Sequence, residues 1–346
     1  MKAAVIRRDS GRKVLVTENL ADPQHGEHEV LIRIRASGIC GSDLHGFTDS
    51  EGTARRDGLI MGHEGAGDVV AVGAGVTRVS VGDRVTIDPQ VSCGECVPCS
   101  QGLISICDRK RVIGSSLRGF EQGTMAELAA VPEKQVFRVP DSVTFSQASM
   151  IEPLSNALHV INRSGILLGD TVVIFGAGTL GLCILQGARL AGAGRIIVSD
   201  TSPHRLQVAR SLGADVIVNP VEQSVRDEVR ALTRSEGADV VIESVGIDAT
   251  YQEAIHTVRK RGRVMFFGAV QDTVTVDLLP ILHKEITIIG CTGANDETQV
   301  AIDMVAAGRI NLDALLTHQF DLAHAQEAFD TLTNPANNAI KVQVTP

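Results

Sequence analysis

Thr171-Val172-Val173-Ile174-Phe175-Gly176-Ala177-Gly178-Thr179-Leu180-Gly181 is the stretch that decides the fold. A β-branched and aromatic run gives way to glycines spaced G-x-G-x-x-G. The pattern alone is weak; its place after a strand and at the opening of a helical pattern gives it meaning. The first glycine permits a tight turn, the second lets the backbone approach a pyrophosphate, and the third lets the helix pack close to the strand. The start of the helix offers N–H groups to the phosphates. A dinucleotide is therefore expected on Gly176, Gly178, Thr179, Leu180 and Gly181. Asp200 ends the next strand, nineteen residues past Gly181. A carboxylate there accepts hydrogen bonds from ribose hydroxyls and repels a 2′-phosphate, which favours NAD over NADP. Arg205 is read as a cofactor-side or solvated cation, and Val245, beyond the fourth strand of this region, completes the expected cofactor set.

Downstream of this loop, strands and helices alternate. Apolar runs at 195–199, 216–218, 239–242, 263–267 and 286–289 join 171–175, with helical patterns between most of them. Six β/α steps imply an α/β chain with a doubly wound parallel sheet. Upstream of about residue 150 the character differs. Residues 29–35 end in an alternating run, and glycines punctuate 62–84 around the apolar stretches 69–72 and 76–79, which reads as an all-β meander. Further strands are expected at 84–87 and 125–131. Two helical stretches follow Gly290, and a last strand, 339–344, is placed to pair back onto the first β region.

The chain has 346 residues, long enough for two domains. A net charge of -9, with no basic run, argues against nucleic acid, whose phosphates need a basic face. Aromatics make up 3%, with a single Tyr and no Trp, which disfavours base stacking. No leader pattern and no membrane-length apolar run is evident, so a cytoplasmic protein is expected. Seven cysteines in a reducing compartment point to metal rather than disulfides.

Four of them, Cys93, Cys96, Cys99 and Cys107, have the spacing C-x2-C-x2-C-x7-C. Four thiolates this close suit a closed, structural zinc site, with an iron–sulfur cluster as the rival. A second set is mixed. Cys40 lies in Ile39-Cys40-Gly41-Ser42-Asp43-Leu44-His45, and His63 and Glu64 are adjacent; Glu152, before Pro153, is a further carboxylate. Neighbouring side chains on a strand point to opposite faces, so His63 and Glu64 can reach one metal only if the backbone turns there. Cys40, His63 and one glutamate leave a fourth position open, as a catalytic zinc requires. Which carboxylate completes the set, Glu64 or Glu152, stays open. Cys183 and Cys291 read as core residues.

These motifs together resemble the zinc-dependent medium-chain dehydrogenase/reductase family across essentially the whole chain. The matching segments are Gly38 to Asp43, Gly62-His63-Glu64, Val81 to Val85, the four-cysteine lobe, Glu152-Pro153-Leu154 and the Gly176 loop. Glu152-Pro153-Leu154-Ser155 looks like the sorbitol (polyol) dehydrogenase branch, and Asn156-Ala157-Leu158-His159 like the threonine dehydrogenase branch. The classical alcohol dehydrogenases carry Cys where this chain has Glu152. The resemblance implies a GroES-like β-barrel catalytic domain, 1–152 and 291–346, with the zinc lobe at about 89–110. A Rossmann domain at 153–290 is inserted between, and the active site lies in the cleft. It implies two zinc ions per subunit and a homodimer or homotetramer paired through strand 285–290.

The implied reaction interconverts a polar secondary alcohol and its ketone with NAD(H). Ser42 would take the hydroxyl proton and pass it through the cofactor ribose to His45 and solvent, and Asp43 would orient a ligand. Polar residues between Phe47 and Leu59 (Asp49, Ser50, Glu51, Thr53, Arg55, Arg56 and Asp57) would line a pocket for a polyol, cyclitol or sugar phosphate. A solvated loop is the alternative. Threonine-type amino-alcohol oxidation is the rival substrate, and a non-catalytic zinc- and nucleotide-binding protein the rival class.

Overall fold

Thr171–Phe175 is buried along its whole length, as expected of a central parallel strand covered on both faces. In the computed structural model, which describes residues 1–10, 12–48 and 55–346, it lies inside a six-stranded parallel sheet. The spatial order is Val216–Val218, Arg195–Ser199, Thr171–Phe175, Ala238–Glu243, Val258–Phe266, Thr287–Gly290. The order reverses beside the first of these strands in sequence, which is where a doubly wound sheet binds its ligand. Val173, Ile197, Val218, Val241 and Val264 fill one core of this unit with Val225 and Val229 from the helix Val225–Leu232. The strand expected at 263–267 begins earlier, at Val258, and kinks at Arg261, whose φ of 55° is left-handed.

The chain divides into two compact units, Met1–Ser155 with Ala294–Pro346, and Asn156–Gly293. The first is built on a seven-stranded sheet. Its path runs Leu316–Asp321, Lys341–Thr345, Glu29–Gly38, Glu64–Val72, Arg84–Ile87, Val136–Arg138, and Leu128–Pro132 also pairs with Glu29–Gly38. The closing strand does return to the first β region: Gln343 lies opposite Gly38 and Val344 opposite Ser37, antiparallel. Val30, Ile32, Ile34, Val69, Val85 and Val131 pack on one side of it. Ile6, Met61, Met125, Phe329, Val342 and Val344 form a second cluster.

One strand expectation fails. Residues 76–79 form an irregular loop after a turn at 74–75 rather than a strand. A Cβ on Gly73 would lie 2.1 Å from the Gly26 carbonyl oxygen, so the chain crosses the 26–28 turn too closely for a pleated strand to continue. The turn closes through Val76 N–H to Gly73 O at 3.0 Å, and Val79 is still buried. Among the described residues no helix is long and apolar enough to cross a membrane.

Candidate functional site

His63 precedes the strand Glu64–Val72, and Gly62 before it has a φ of 91°, a left-handed turn that favours glycine. A Cβ there would meet Ser37 Oγ at 2.7 Å and Met125 Cγ at 2.8 Å. This turn puts two adjacent residues on one side, which a regular strand forbids. Ligand atoms of Cys40, His63 and Glu64 consequently lie within 4.8 Å of one another. Glu152, at the second position of the helix Ile151–Ser164, is not brought into that cluster.

Asp43 organises the site from the helix Gly41–Thr48. It is fully buried. Its Oδ1 accepts from His63 Nδ1 at 3.2 Å, and its Oδ2 accepts from the Cys40 backbone N–H at 3.2 Å. The bond to Nδ1 leaves Nε2 as the ring nitrogen that faces a metal. Burial works against an ionised Asp43, but His63 and Arg55 outweigh it and hold the carboxyl well below its usual range. Burial likewise opposes charge on His63; Asp43 and the Cys40 sulfur win, and its pKa is raised well above 6.5.

Two buried cations complete the surroundings, and the sequence marked neither as a counter-ion. Lys341 is 1% exposed and donates to both Glu64 oxygens, at 2.8 and 2.6 Å, and to the Ile39 carbonyl at 2.9 Å. Glu152 also acts on it Coulombically. Arg55, expected to line a pocket or be solvated, is 4% exposed and donates to Asp43. Its neighbours are tied down too: Arg56 N–H donates to Ser116 Oγ, and Asp57 accepts from Arg8 N–H. Asp49, Ser50, Glu51 and Thr53 lie outside the described residues. The acidic side chains Asp43 and Glu64 each pair with a buried cation, Arg55 and Lys341. The mixed thiol, imidazole and carboxylate donor set fits zinc.

Lys341 was hidden by its strand. Lys341-Val342-Gln343-Val344 alternates polar and apolar, which signals one wet face, yet all four residues are buried. Arg55 was hidden by standing next to Arg56 and Asp57, which reads as a solvated charge cluster.

Ser42 and His45 sit three residues apart on the helix Gly41–Thr48, neighbours on one helical face, and both are exposed. The thiols of Cys93, Cys96, Cys99 and Cys107 converge as well, all within 4.8 Å. With Zn–S bonds of ~2.3 Å, the edges of a tetrahedron measure about 3.8 Å. The Cys93–Cys107, Cys96–Cys107 and Cys93–Cys99 sulfurs are 3.5, 3.8 and 3.9 Å apart. Backbone N–H groups of Glu95 and Cys96 pull the Cys93 thiol down to about 6. Arg109, paired with Glu95, also reaches the Cys93 sulfur.

In the second unit the glycine loop has the form that a nucleotide requires. Gly176 has a φ of 99°, and a Cβ on Gly181 would lie 1.9 Å from the Gly176 carbonyl oxygen. A Cβ on Gly178 would meet nothing within 4 Å, so the loop leaves open space at this position. Gly178 is the N-cap of Thr179–Leu190 and brings no side chain to it, so the first-turn N–H groups can receive phosphate. Asp200 holds this loop: its Oδ2 accepts from Ala177 N–H at 2.7 Å and its Oδ1 from Ser202 N–H at 2.8 Å. Arg205 is half-buried in Pro203–Ser211, and Val245 N–H donates to Glu243 Oε1 at 2.8 Å beside the loop.

Residues 26–141 match the alcohol dehydrogenase GroES-like domain and residues 179–307 the zinc-binding dehydrogenase family. A sorbitol dehydrogenase of Bacillus subtilis is 34% identical over 349 aligned positions, covering 100% of this chain and 97% of that protein. The chain belongs to the zinc-dependent medium-chain dehydrogenases. An L-threonine 3-dehydrogenase of Pyrococcus horikoshii is 35% identical over 90% of this chain and 89% of its own length. A solved zinc-binding dehydrogenase of Sinorhizobium meliloti, provisionally assigned and bound to NADP, superposes with a TM-score of 0.90. It is 31% identical and covers 100% of this chain and 99% of its own. The family makes the chain a dehydrogenase that uses zinc and a nicotinamide cofactor, on a GroES-like β domain and a Rossmann sheet.

Proposed function

We propose that this dehydrogenase oxidises a polar secondary alcohol, of the polyol, cyclitol or sugar-derived class, to its ketone with NAD. The observation that carries the reading is the Cys40–His63–carboxylate cluster with its buried counter-cations. It supports a metal site made of one thiolate, one imidazole and one carboxylate. The similarity to a sorbitol dehydrogenase supports the substrate class. Zinc held there supplies Lewis acidity that lowers the pKa of an alcohol oxygen, and the nicotinamide supplies the hydride acceptor. Ser42 would accept the hydroxyl proton as its own proton passes on through the cofactor ribose to His45, which is exposed one helical turn along and would release it to water.

Cys40 and His63 are the proposed protein donors, with Glu64 the carboxylate within reach and Glu152 the reserve. Cys93, Cys96, Cys99 and Cys107 hold a second, structural ion, giving two per chain. The Asp200 carboxylate supports NAD over NADP, since its negative charge meets a 2′-phosphate unfavourably. Four thiolates kept unoxidised support a reducing compartment such as the cytoplasm. Threonine-type oxidation is the second reading, prompted by the 35% identity to an L-threonine 3-dehydrogenase.

A panel of polyols, cyclitols, threonine and simple alcohols, followed by NADH absorbance with NADP as a parallel arm, tests the proposal. Polyols or cyclitols should turn over best, with NAD. Ser42→Ala should lower kcat by about 100-fold with thermal stability unchanged. Preference for hydrophobic primary alcohols would overturn the substrate class, and preference for threonine would replace it with the second reading.

A further inference from the structure

Arg55 stands inside the protein where an arginine needs a reason. Its side chain is 5% exposed and Asp43 is fully buried, and a buried ion pair is kept only where its geometry repays the lost hydration. Nε and Nη2 both donate to Asp43 Oδ1, at 3.2 and 2.8 Å. The same oxygen accepts from His63 Nδ1, while the other holds the Cys40 backbone N–H. One carboxylate thus grips two neighbours of the metal position, and Arg55 grips the carboxylate. Gly46 makes room for it: a Cβ there would come within 2.6 Å of Arg55 Cγ. The helix that carries Asp43 is notched where the arginine stem crosses.

We infer that Arg55 is a positioning residue for the Cys40–His63 metal, acting through Asp43 to fix the His63 ring and tautomer. The inference rests on the metal reading above. Without the guanidinium, Asp43 is a buried carboxylate with less to hold its charge and angle, and the imidazole it orients loses register. Partners that orient a metal-bound imidazole typically contribute 10- to 100-fold in metal affinity.

The test uses the zinc-loaded full chain, with zinc release to a chromogenic chelator followed over time. Cys40→Ser identifies which release phase belongs to this site, and the four-cysteine phase is the internal reference. Arg55→Met should speed the Cys40-dependent phase about tenfold and leave the four-cysteine phase unchanged. Gly46→Ala, which crowds the stem without removing the charge, should speed it in the same sense, and Arg55→Lys should restore part of the loss. In an Asp43→Asn background, Arg55→Met should add less than about twofold, because the two act in series. A wild-type chain with two release phases whose Cys40-dependent rate is unmoved by Arg55→Met overturns the inference alone. So does equal acceleration of both phases, which means general loosening. A wild-type chain that carries zinc only on the four cysteines overturns the metal reading, and this inference with it.

Discussion

Lys341 donates to both carboxylate oxygens of Glu64 from 277 residues away in sequence. Burial lowers the lysine pKa, but Glu64, with Cys40 and Glu152 behind it, more than compensates and the net shift is upward. The pair holds Glu64 in place beside the metal position and ties the last strand to the site. Lys341→Met should cost about 3–5 kcal/mol, because it strands a buried carboxylate. Replacing both partners, Lys341→Met with Glu64→Leu, should recover much of that loss. Urea denaturation of the metal-free chain, followed by circular dichroism because the chain has no Trp, measures both. A single variant as stable as wild type would refute the buried pair.

The glycine loop makes a sharper contrast. Gly181→Ala places a methyl 1.9 Å from the Gly176 carbonyl oxygen. It should cost about 1–3 kcal/mol of stability and weaken cofactor binding together. Gly178 has an ordinary φ of -75° and open space at its Cβ. Gly178→Ala should leave stability within about 0.5 kcal/mol while raising the KM for NAD about tenfold or more. Equal KM values for Gly178→Ala and wild type would mean that the open space is not the phosphate site.

Asp88 gives the chain a pH dependence away from the metal. It is 7% exposed, and burial raises its pKa from 3.8 to about 6, against the N–H donors of Gln90. Between those values the folded chain binds more protons than the unfolded one. Its contribution is therefore fully present below about pH 4 and lost as pH rises through about 6. Asp88→Asn keeps an acceptor for Gln90 and removes the titration. Relative to wild type it should gain stability from pH 4 to 7, by up to about 3 kcal/mol. Parallel urea curves at four pH values measure the difference; a gap that does not widen with pH would exclude it.

The edge strand Thr287–Gly290 leaves Ile288 37% exposed, and the preceding helix Leu278–Lys284 leaves Leu278, Leu279 and Leu282 58–63% exposed. An apolar edge of this kind needs cover, which a second copy of the chain would supply. Sedimentation at micromolar concentration should give a dimer or larger, and Leu282→Glu with Ile288→Glu should give a monomer. A wild-type monomer at that concentration would dispose of the idea.

Residues that answer to local rules were legible in the sequence. The strand and glycine loop at 171–181 and the four-cysteine spacing announce themselves over short stretches, because turn sterics and metal geometry act locally; Cys40 and His63 stand 23 residues apart and were joined only as a set of donors. That the strands form a parallel, doubly wound sheet followed from their alternation with helices; their order in the sheet did not. The tertiary structure alone decided the rest. Arg55 is a buried counter-cation rather than a pocket lining, the polar face of Lys341-Val342-Gln343-Val344 is dry, and Glu64 is gripped by Lys341. Alternation in a strand reports which side chains share a face and cannot report whether that face meets water or another acid. Ion pairs are chosen by distance in space, and in this protein the partners of Asp43 and Glu64 were fixed only when the chain closed on itself.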